Sequence, residues 1–256
     1  MEGASTGKQV FCLTGKDYFA KVRSMYILGI ETATKTGGVS IVSENGVLAE
    51  YTLNIEVTHS ERLMSTVDRV LKDTGFTLAN MDGYGVSIGP GSFTGLRIGL
   101  STIKGLAFTT GKPVAAVPTL KALAWNIPFP RYAVCPLLDA RKKEVYAGLY
   151  RHDGRNYIQE MHDTVISLAE MSGTITGDVL FTGEGSRLFA MDIEKIFGDR
   201  AHFAPLSSSV PSAASVAEIA LMMLKGGQHT DPDALVPMYI RRPEAEVAWE
   251  KRQRSR

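Results

Sequence analysis

Apolar and polar positions alternate along the first well-patterned part of the chain, which is the pattern of half-buried β-strands. Such segments lie at 26–32, 39–43 and 47–53. The dipeptide Asn45-Gly46 between the last two is typical of a tight hairpin turn. The pattern therefore predicts an antiparallel meander of strands.

Apolar positions then recur at helical spacing. Leu63, Val67 and Val70 would share one face of a helix from about Ser60 to Asp73. We then predict a strand at 84–88, a helix that ends near Thr110, a strand at 114–117 and a helix at 119–125. Together with the meander, these elements make a complete α/β unit.

The same order of elements begins again after Pro130. Strands are predicted at 133–139, 145–150, 157–161 and 179–182, with Asp153-Gly154 as a second hairpin turn and a helix at 212–225. This repetition predicts an internal duplication, with two similar domains that face each other across a cleft. The second copy is the shorter one.

These patterns divide the chain into four parts. Residues 1–24 lack periodicity and are interpreted as an extension, a leader or a misplaced start. The first domain is predicted at 25–127 and the second at 128–240, with the helix at 212–225 packing back towards the first. A charged tail occupies 241–256.

The stretch from Ile88 to Thr110 has the least usual composition of the predicted elements. A Gly-Pro-Gly turn leads into a helix that Ser92 or Thr94 would cap. Glycines at 95, 99 and 105 interrupt that helix, and each costs about 1 kcal/mol relative to alanine. Such a cost indicates a close approach by something else.

Three explanations fit these glycines: tight packing on the chain's own sheet, a surface for a partner's helix, and a phosphate-binding loop. The loop lacks the Lys-Ser/Thr pair of a P-loop, which weakens the third explanation. We expect the second, in which the glycine face is exposed. The predicted interface comprises Leu63, Met64, Gly95, Ile98, Gly99 and Thr102. Replacing Gly99 with leucine should then abolish association without unfolding the monomer.

Composition narrows the function classes. The 28 Lys and Arg residues balance 27 Asp and Glu residues, so the chain lacks the basic excess of an autonomous nucleic-acid or membrane binder. Cys12 and Cys135 are too few for a disulfide framework. No run has the length of a membrane span.

Five segments together carry a resemblance to a known family: ILGIETAT, HSERL, GPGSFTGLRIG, LLDARKKEVYAG and PMYIRRPEAE. They resemble the bacterial TsaB (YeaZ) family, and the similarity extends from Met25 to about Glu246. The resemblance implies a duplicated actin/hexokinase/Hsp70-like fold (ASKHA, RNase H-like) with an abbreviated second domain. It also implies a cytoplasmic protein without a membrane segment.

The family is a non-catalytic subunit of the machinery that makes threonylcarbamoyladenosine next to the anticodon of tRNA. In that machinery TsaC makes threonylcarbamoyl-adenylate, TsaD transfers the group and TsaE is an ATPase. The resemblance therefore implies a heterodimer with TsaD, a further partner in TsaE, a homodimer when the chain is alone, and contact with tRNA only through the complex.

Enzymes of this fold hold ATP phosphates between two glycine-containing turns, because a bare backbone can approach a phosphate closely. The first turn here, 32–38, keeps Gly37 and Gly38, whereas the second, 139–144, has no glycine. Its basic residues could attract an anion, but a solvated hairpin tip is the favoured interpretation. Glu184 between two glycines would also repel a nucleotide. Weak anion contact is assigned to Thr32, Gly37, Gly38 and Arg141.

We therefore expect no tightly bound cofactor, with ATP or ADP confined to the TsaD interface. Catalytic relatives of the family carry two histidines four residues apart on a helix, whereas here His59 is followed four residues later by Leu63, so we expect no metal. We also expect no catalytic residues, because no Ser/His/Asp or Cys/His arrangement stands out from the sequence. An autonomous enzyme of the same fold, either a small-molecule kinase or a metal-dependent glycoprotease, is the alternative. Any contact of the chain with RNA is assigned to the basic residues of the tail: Arg241, Arg242, Lys251, Arg252, Arg254 and Arg256.

Overall fold

A computed structural model describes residues 24–54 and 59–241. Its first sheet contains β1 (Tyr26–Glu31), β2 (Thr36–Ser43), β3 (Gly46–Asn54), β4 (Gly83–Gly89) and β5 (Val114–Pro118), in the order β3-β2-β1-β4-β5. The first three strands form the predicted antiparallel meander, and β4 and β5 add parallel to β1. The predicted strands are therefore all present.

The second sheet repeats this arrangement. It contains β6 (Ala133–Asp139), β7 (Glu144–His152), β8 (Tyr157–Ser167), β9 (Val179–Thr182) and β10 (Ala201–Phe203), in the order β8-β7-β6-β9-β10. The antiparallel pairs β6/β7 and β7/β8 and the parallel pairs β6/β9 and β9/β10 match the first sheet pair for pair. The duplication and the fold class are confirmed. We call the parts built on the two sheets the first and second lobes.

The helices are α1 (His59–Thr74), α2 (Phe93–Thr110), α3 (Thr119–Trp125), α4 (Leu168–Thr174), α5 (Glu184–Leu188), α6 (Ala190–Phe197) and α7 (Ala213–Lys225). Abbreviation of the second lobe lies mainly in its helices. Where the first lobe has the 16-residue α1 and the 18-residue α2, the second has the 7-residue α4 and the 5- and 8-residue α5 and α6. The sequence patterns did not predict α4, which has seven residues, or β10, which has three, because such short elements contain too few apolar positions to establish a period.

Helix α7 lies on the first sheet, because glycines in the strands leave room for it. A Cβ built at Gly29 would lie 2.6 Å from the carbonyl oxygen of Ala213, and one at Gly85 would lie 2.6 Å from the Cβ of Ala220. The other side of this sheet packs against α1 and α2 around a core that includes Ile30, Val67, Val86 and Ile103. Helices thus cover the sheet on both faces, as a buried parallel core requires.

None of the helices in the described ranges has both the length and the apolar composition needed to cross a membrane. The predicted extension lies outside the described residues apart from Ser24, and the predicted tail lies outside them apart from Arg241. The domain boundaries at 127/128 and 240/241 remain predictions.

Candidate functional site

Helix α2 begins and ends with the caps that the sequence suggested. The side chain of Ser92 accepts a hydrogen bond from the backbone N–H of Gly95 at 3.3 Å, so Ser92 and not Thr94 is the N-cap. Gly111 ends the helix in the left-handed conformation, with φ of 67°. The helix therefore extends without interruption past all three of its glycines.

The predicted exposure of the Gly95/Gly99 face is wrong. Both glycines are buried, and a Cβ at either one would come closer than 3.0 Å to Thr32, at its carbonyl oxygen for Gly95 and at its Oγ1 for Gly99. The Thr32 hydroxyl also donates to the Gly95 carbonyl at 2.9 Å. The turn that follows β1 lies directly against the first turns of α2, and the two glycines make room for it.

The other predicted interface residues are divided between the core and the surface. Leu63 is only 6% exposed and packs in the first core, whereas Met64 beside it is 53% exposed. Ile98 and Thr102 are half-buried, and Ile98 packs against the same core. Met64 is therefore the most accessible of the six predicted residues.

The exposed face of α2 lies further along the helix. A Cβ at Gly105 would meet no atom of the described residues within 4 Å, and Phe108, one turn later, is 91% exposed. Ser101, one turn earlier, is exposed as well. We call Ser101, Gly105 and Phe108 the outer face of α2. Their spacing of three and four residues is the signal in the sequence that could have identified this face.

A shallow cavity of about 450 Å³ adjoins the outer face. Lys104, Gly105 and Phe108 line one side of it and Asp231–Asp233 the other. The Lys104 ammonium group donates to the Asp233 carbonyl at 3.4 Å, which ties the two sides together. The outer face is thus a small apolar surface beside a depression that a side chain of another molecule could enter.

A larger cleft of about 530 Å³ separates the two lobes. Residues 33–35 and 90–94 line it from the first lobe, and residues 138–141, Tyr146 and Glu184 line it from the second. Residues 238–241, near the end of the described chain, line it as well. This is the cleft that the duplication predicted.

Of the four residues assigned to anion contact, only Arg141 lines the cleft. Thr32 is buried against α2, while Gly38 packs on α7, where its Cβ would lie 3.2 Å from that of Ala213. Gly37 pairs with Leu53 inside the sheet. The predicted turn at 32–38 is therefore shorter than expected, because β2 already begins at Thr36.

The second predicted phosphate turn, 139–144, is stabilised by hydrogen bonds and an ion pair within the chain. Arg141, Lys142 and Lys143 all have left-handed backbone conformations, with φ of 62°, 54° and 61°. The Asp139 carboxylate accepts a hydrogen bond from the Arg141 N–H at 2.8 Å. From outside the turn, Arg241 donates to the Ala140 carbonyl and pairs with Glu144. Arg241 was predicted to be part of an RNA-binding tail, but its guanidinium is engaged within the protein.

The charge of the cleft is mixed. Glu184 faces it, and partial burial together with the nearby Asp139 raises the pKa of Glu184 above its ordinary value, while Lys35 acts in the opposite direction. Desolvation also raises the pKa of Tyr146, which Arg241 and Arg141 partly offset. A polyanion such as ATP would therefore meet both favourable and unfavourable charges here.

Behind the cleft lies a fully buried carboxyl group, that of Glu31 at the end of β1. Its Oε1 accepts a hydrogen bond from the Ala33 N–H at 2.5 Å, while its Oε2 has no hydrogen-bond partner in the described part of the chain. Desolvation raises the pKa of Glu31 to about 7, against the lowering effects of Ala33 and Ser87. This residue thus binds the backbone of the turn that follows β1, and the sequence analysis did not identify it.

Among the described residues, no group of three or more His, Cys, Asp or Glu side chains is placed to hold a metal. The side chain of His59 is outside the description. His202 pairs with Asp178 at 2.8 Å on the surface of the second lobe. Cys135 is buried, which raises the pKa of its thiol well above its usual range.

Comparison with known proteins agrees with this fold. The family model described as "TsaD: tRNA N6-adenosine threonylcarbamoyltransferase" matches residues 46–249. The TsaB protein of tRNA threonylcarbamoyladenosine biosynthesis from Bacillus subtilis is 33% identical over 228 residues, covering 88% of this chain and 98% of that protein. The Escherichia coli protein of the same name is 30% identical over 234 residues, covering 89% and 98%.

A solved structure supports the same assignment. YeaZ from Pseudomonas aeruginosa superimposes with a TM-score of 0.73 at 26% identity, and the match covers 84% of this chain and 99% of that one. The similarity in sequence is thus nearly full-length for the relatives and extends to the arrangement of both lobes. The chain belongs to the TsaB (YeaZ) family of tRNA threonylcarbamoyladenosine biosynthesis proteins.

Proposed function

We propose that this chain is a non-catalytic subunit of the machinery that makes threonylcarbamoyladenosine in tRNA, and that it binds the TsaD transferase through α1 and α2. The observation that carries the proposal is the outer face of α2, where Gly105 is open to solvent and Phe108 is almost fully exposed. A glycine in a helix interior costs about 1 kcal/mol relative to alanine. Among the residues that the structure describes, none lies close enough to Gly105 to explain this cost.

The docking surface comprises the outer face of α2 together with the accessible residues of the original prediction, namely Met64, Ile98 and Thr102. Helix α1 packs against α2, and Met64 on α1 is 53% exposed, so we include it in the proposed surface. The absence of a side chain at Gly105 lets a partner helix approach closely, and Phe108 supplies apolar area that the partner would cover. Gly95, Gly99 and Leu63 support this surface from inside and do not contact the partner.

When TsaD is absent, the same surface pairs two copies of the chain about a two-fold axis, so the homodimer and the heterodimer compete. TsaE joins the TsaD complex as a further partner, and tRNA is contacted through the complex in the cytoplasm. The chain holds no cofactor tightly on its own, and ATP or ADP binds at the TsaD interface.

The non-catalytic role is supported by the second phosphate turn. A kinase of this fold needs the backbone of this turn to be accessible to a phosphate. Here Arg241 donates hydrogen bonds to the Ala140 carbonyl and to the Glu144 carboxylate at the two ends of the turn. Glu184 adds a carboxylate to the same side of the cleft. An autonomous kinase or glycoprotease is the competing proposal, and turnover by the purified chain without TsaD would favour it.

The test compares Gly105→Gln with Gly173→Gln. Gly173 also lies in a helix with no atom within 4 Å of a Cβ, but it is in α4 of the second lobe. We expect Gly105→Gln to weaken both homodimer and TsaD binding at least tenfold in analytical ultracentrifugation and calorimetry, because the new side chain enters the contact. Gly173→Gln should leave both unchanged. Unaltered association of a folded Gly105→Gln protein would refute the proposed surface.

A further inference from the structure

The segment after α7 crosses the first lobe before it reaches the cleft. Thr230 forms an isolated β-bridge with Val114 at the edge of the first sheet, and Leu235 is buried in the first core. The N–H of Met238 then donates to the carbonyl of Ile88 at 2.7 Å. The segment is therefore attached to the first lobe along its path.

At the beginning of α2 the segment makes an aromatic contact. The ring of Tyr239 stacks on that of Phe93, with centroids 4.6 Å apart and planes 19° apart. Its hydroxyl accepts a hydrogen bond from Nε of Arg97 at 3.0 Å, and the Arg97 guanidinium lies 3.9 Å from the centroid of Phe93. These contacts fix the direction in which the chain leaves the first lobe.

Two residues later the segment reaches the second lobe. The guanidinium of Arg241 donates both to the Ala140 carbonyl and to the Glu144 carboxylate, at the two ends of the turn between β6 and β7. The Arg241 side chain is only 24% exposed, so solvent screens this pair less than an open surface pair. The segment thus joins both lobes at the cleft that they form.

The lobes are also joined away from the cleft. Asn126 donates to the carbonyl of Val210 at 2.8 Å, and α3 packs on β6, β7 and β8. Neither Asn126 nor Val210 lines the cleft. This second connection would allow the lobes to remain attached while the cleft opens.

We infer that residues 235–241 form a clamp that holds the cleft between the lobes closed, with the Arg241–Glu144 pair as its releasable latch. The first-lobe contacts of Leu235, Met238 and Tyr239 anchor the clamp. The latch is formed by side chains across a sequence separation of 97 residues, so it can break without unfolding either lobe. The separation of the lobes therefore depends on the state of this pair.

Hydrogen–deuterium exchange of the full-length chain tests the latch. Arg241→Ala and Glu144→Gln should each increase amide exchange in residues 139–144 and 238–241 on the order of tenfold, while exchange in β1 and in residues 133–138 of β6 stays unchanged. The double variant should not exceed Arg241→Ala, because Arg241→Ala already removes the contact that Glu144→Gln weakens, together with the bond to the Ala140 carbonyl. Glu160→Gln is the control, since it breaks the Arg151–Glu160 pair within the β7/β8 hairpin and should alter neither segment. Unchanged exchange at 139–144 in both single variants would overturn the latch.

A distance measurement tests whether the latch holds the lobes. Spin labels at Ala79→Cys and Glu194→Cys, both exposed and one in each lobe, are introduced together with Cys12→Ser and diluted with unlabelled chain. The labelled protein that keeps Arg241 should give a narrow distribution of distances between the two labels, and the labelled Arg241→Ala protein should give a broader one. Arg241→Lys, which keeps the charge but cannot contact both acceptors equally well, should be intermediate. Identical distributions in all three proteins would overturn the clamp.

Discussion

Thr32 and Gly99 are in contact although 67 residues separate them in the sequence. The Thr32 side chain fills the space that a Cβ at Gly99 would need, and its hydroxyl donates to the carbonyl of Gly95 one turn earlier. The β1 turn is thus fixed against α2 by two glycines and one hydroxyl. Gly95 and Gly99 are therefore required by packing within the chain, whereas Gly105 is not.

The first prediction concerns the opposite effects of alanine at two of these glycines. Gly99→Ala should lower the free energy of unfolding by about 1–3 kcal/mol, because the added methyl overpacks against Thr32. Gly105→Ala should raise it by about 1 kcal/mol, because its surroundings are open. Urea denaturation of the two variants beside wild type measures both effects. Equal effects of the two substitutions would contradict the assigned packing.

The same contact shows why the sequence predicted a close approach to α2 but assigned it to the wrong side. Glycine spacing indicates that something lies near the helix, but it does not say whether the neighbour belongs to the same chain. Here the neighbour is the turn after β1, which the meander and α1 separate from α2 in the sequence. Long strands and helices were predictable because their own residues carry the periodicity, whereas their contacts depend on distant residues.

The cleft illustrates a second limit. Its two lobes follow from the repeated order of strands, so the sequence predicted that it exists. Part of its lining is formed by residues 238–241, which have no periodic pattern, and the charge of Arg241 suggested a partner outside the chain. The pairing with Glu144 depends on how the chain returns from α7, and no local signal in the sequence encodes that path.

The second prediction is a pH dependence of stability that originates at Glu31. Its pKa is raised from 4.5 to about 7 in the folded state, so the fold favours the protonated carboxyl. The contribution of Glu31 to the free energy of unfolding is fully present below pH 4.5, decreases as the pH rises towards 7 and is constant above pH 7. The free energy of unfolding falls by roughly 3 kcal/mol across this range. Glu31→Gln should remove this slope, so its stability relative to wild type should increase from pH 4.5 to pH 8. Parallel pH profiles of the two proteins in chemical denaturation would exclude Glu31 as the source.

The third prediction concerns Asp163 in the second lobe. Its Oδ1 accepts hydrogen bonds from the Tyr150 hydroxyl at 2.6 Å and from Nε2 of Gln159 at 2.8 Å. Burial raises its pKa from 3.8 to about 6 despite these bonds, so this group destabilises the fold as the pH rises from 3.8 to 6. Asp163→Asn can accept both bonds without the charge, and it should stabilise the protein more at pH 7 than at pH 4.

A matched variant separates charge from packing at this position. Asp163→Ala removes the same charge but leaves the buried Tyr150 hydroxyl without its acceptor, so it should be less stable than Asp163→Asn at every pH. Thermal denaturation of the three proteins at both pH values gives the comparison. Equal stability of the Asn and Ala variants would mean that the hydrogen bonds contribute nothing.

The last prediction separates docking from general surface stickiness. Phe108 on α2 and Met191 on α6 are both large apolar residues, 91% and 84% exposed, but they lie in different lobes. Phe108→Ser should weaken association with TsaD and with a second copy by about 2 kcal/mol or more, as expected for an aromatic anchor. Met191→Ser should leave both affinities within about twofold of wild type, well under the 1.4 kcal/mol of a tenfold change. Neither substitution should lower the melting temperature appreciably, since both side chains contact mainly solvent. If Met191→Ser weakened TsaD binding and Phe108→Ser did not, the partner would dock on the second lobe, and Gly105 would need another explanation.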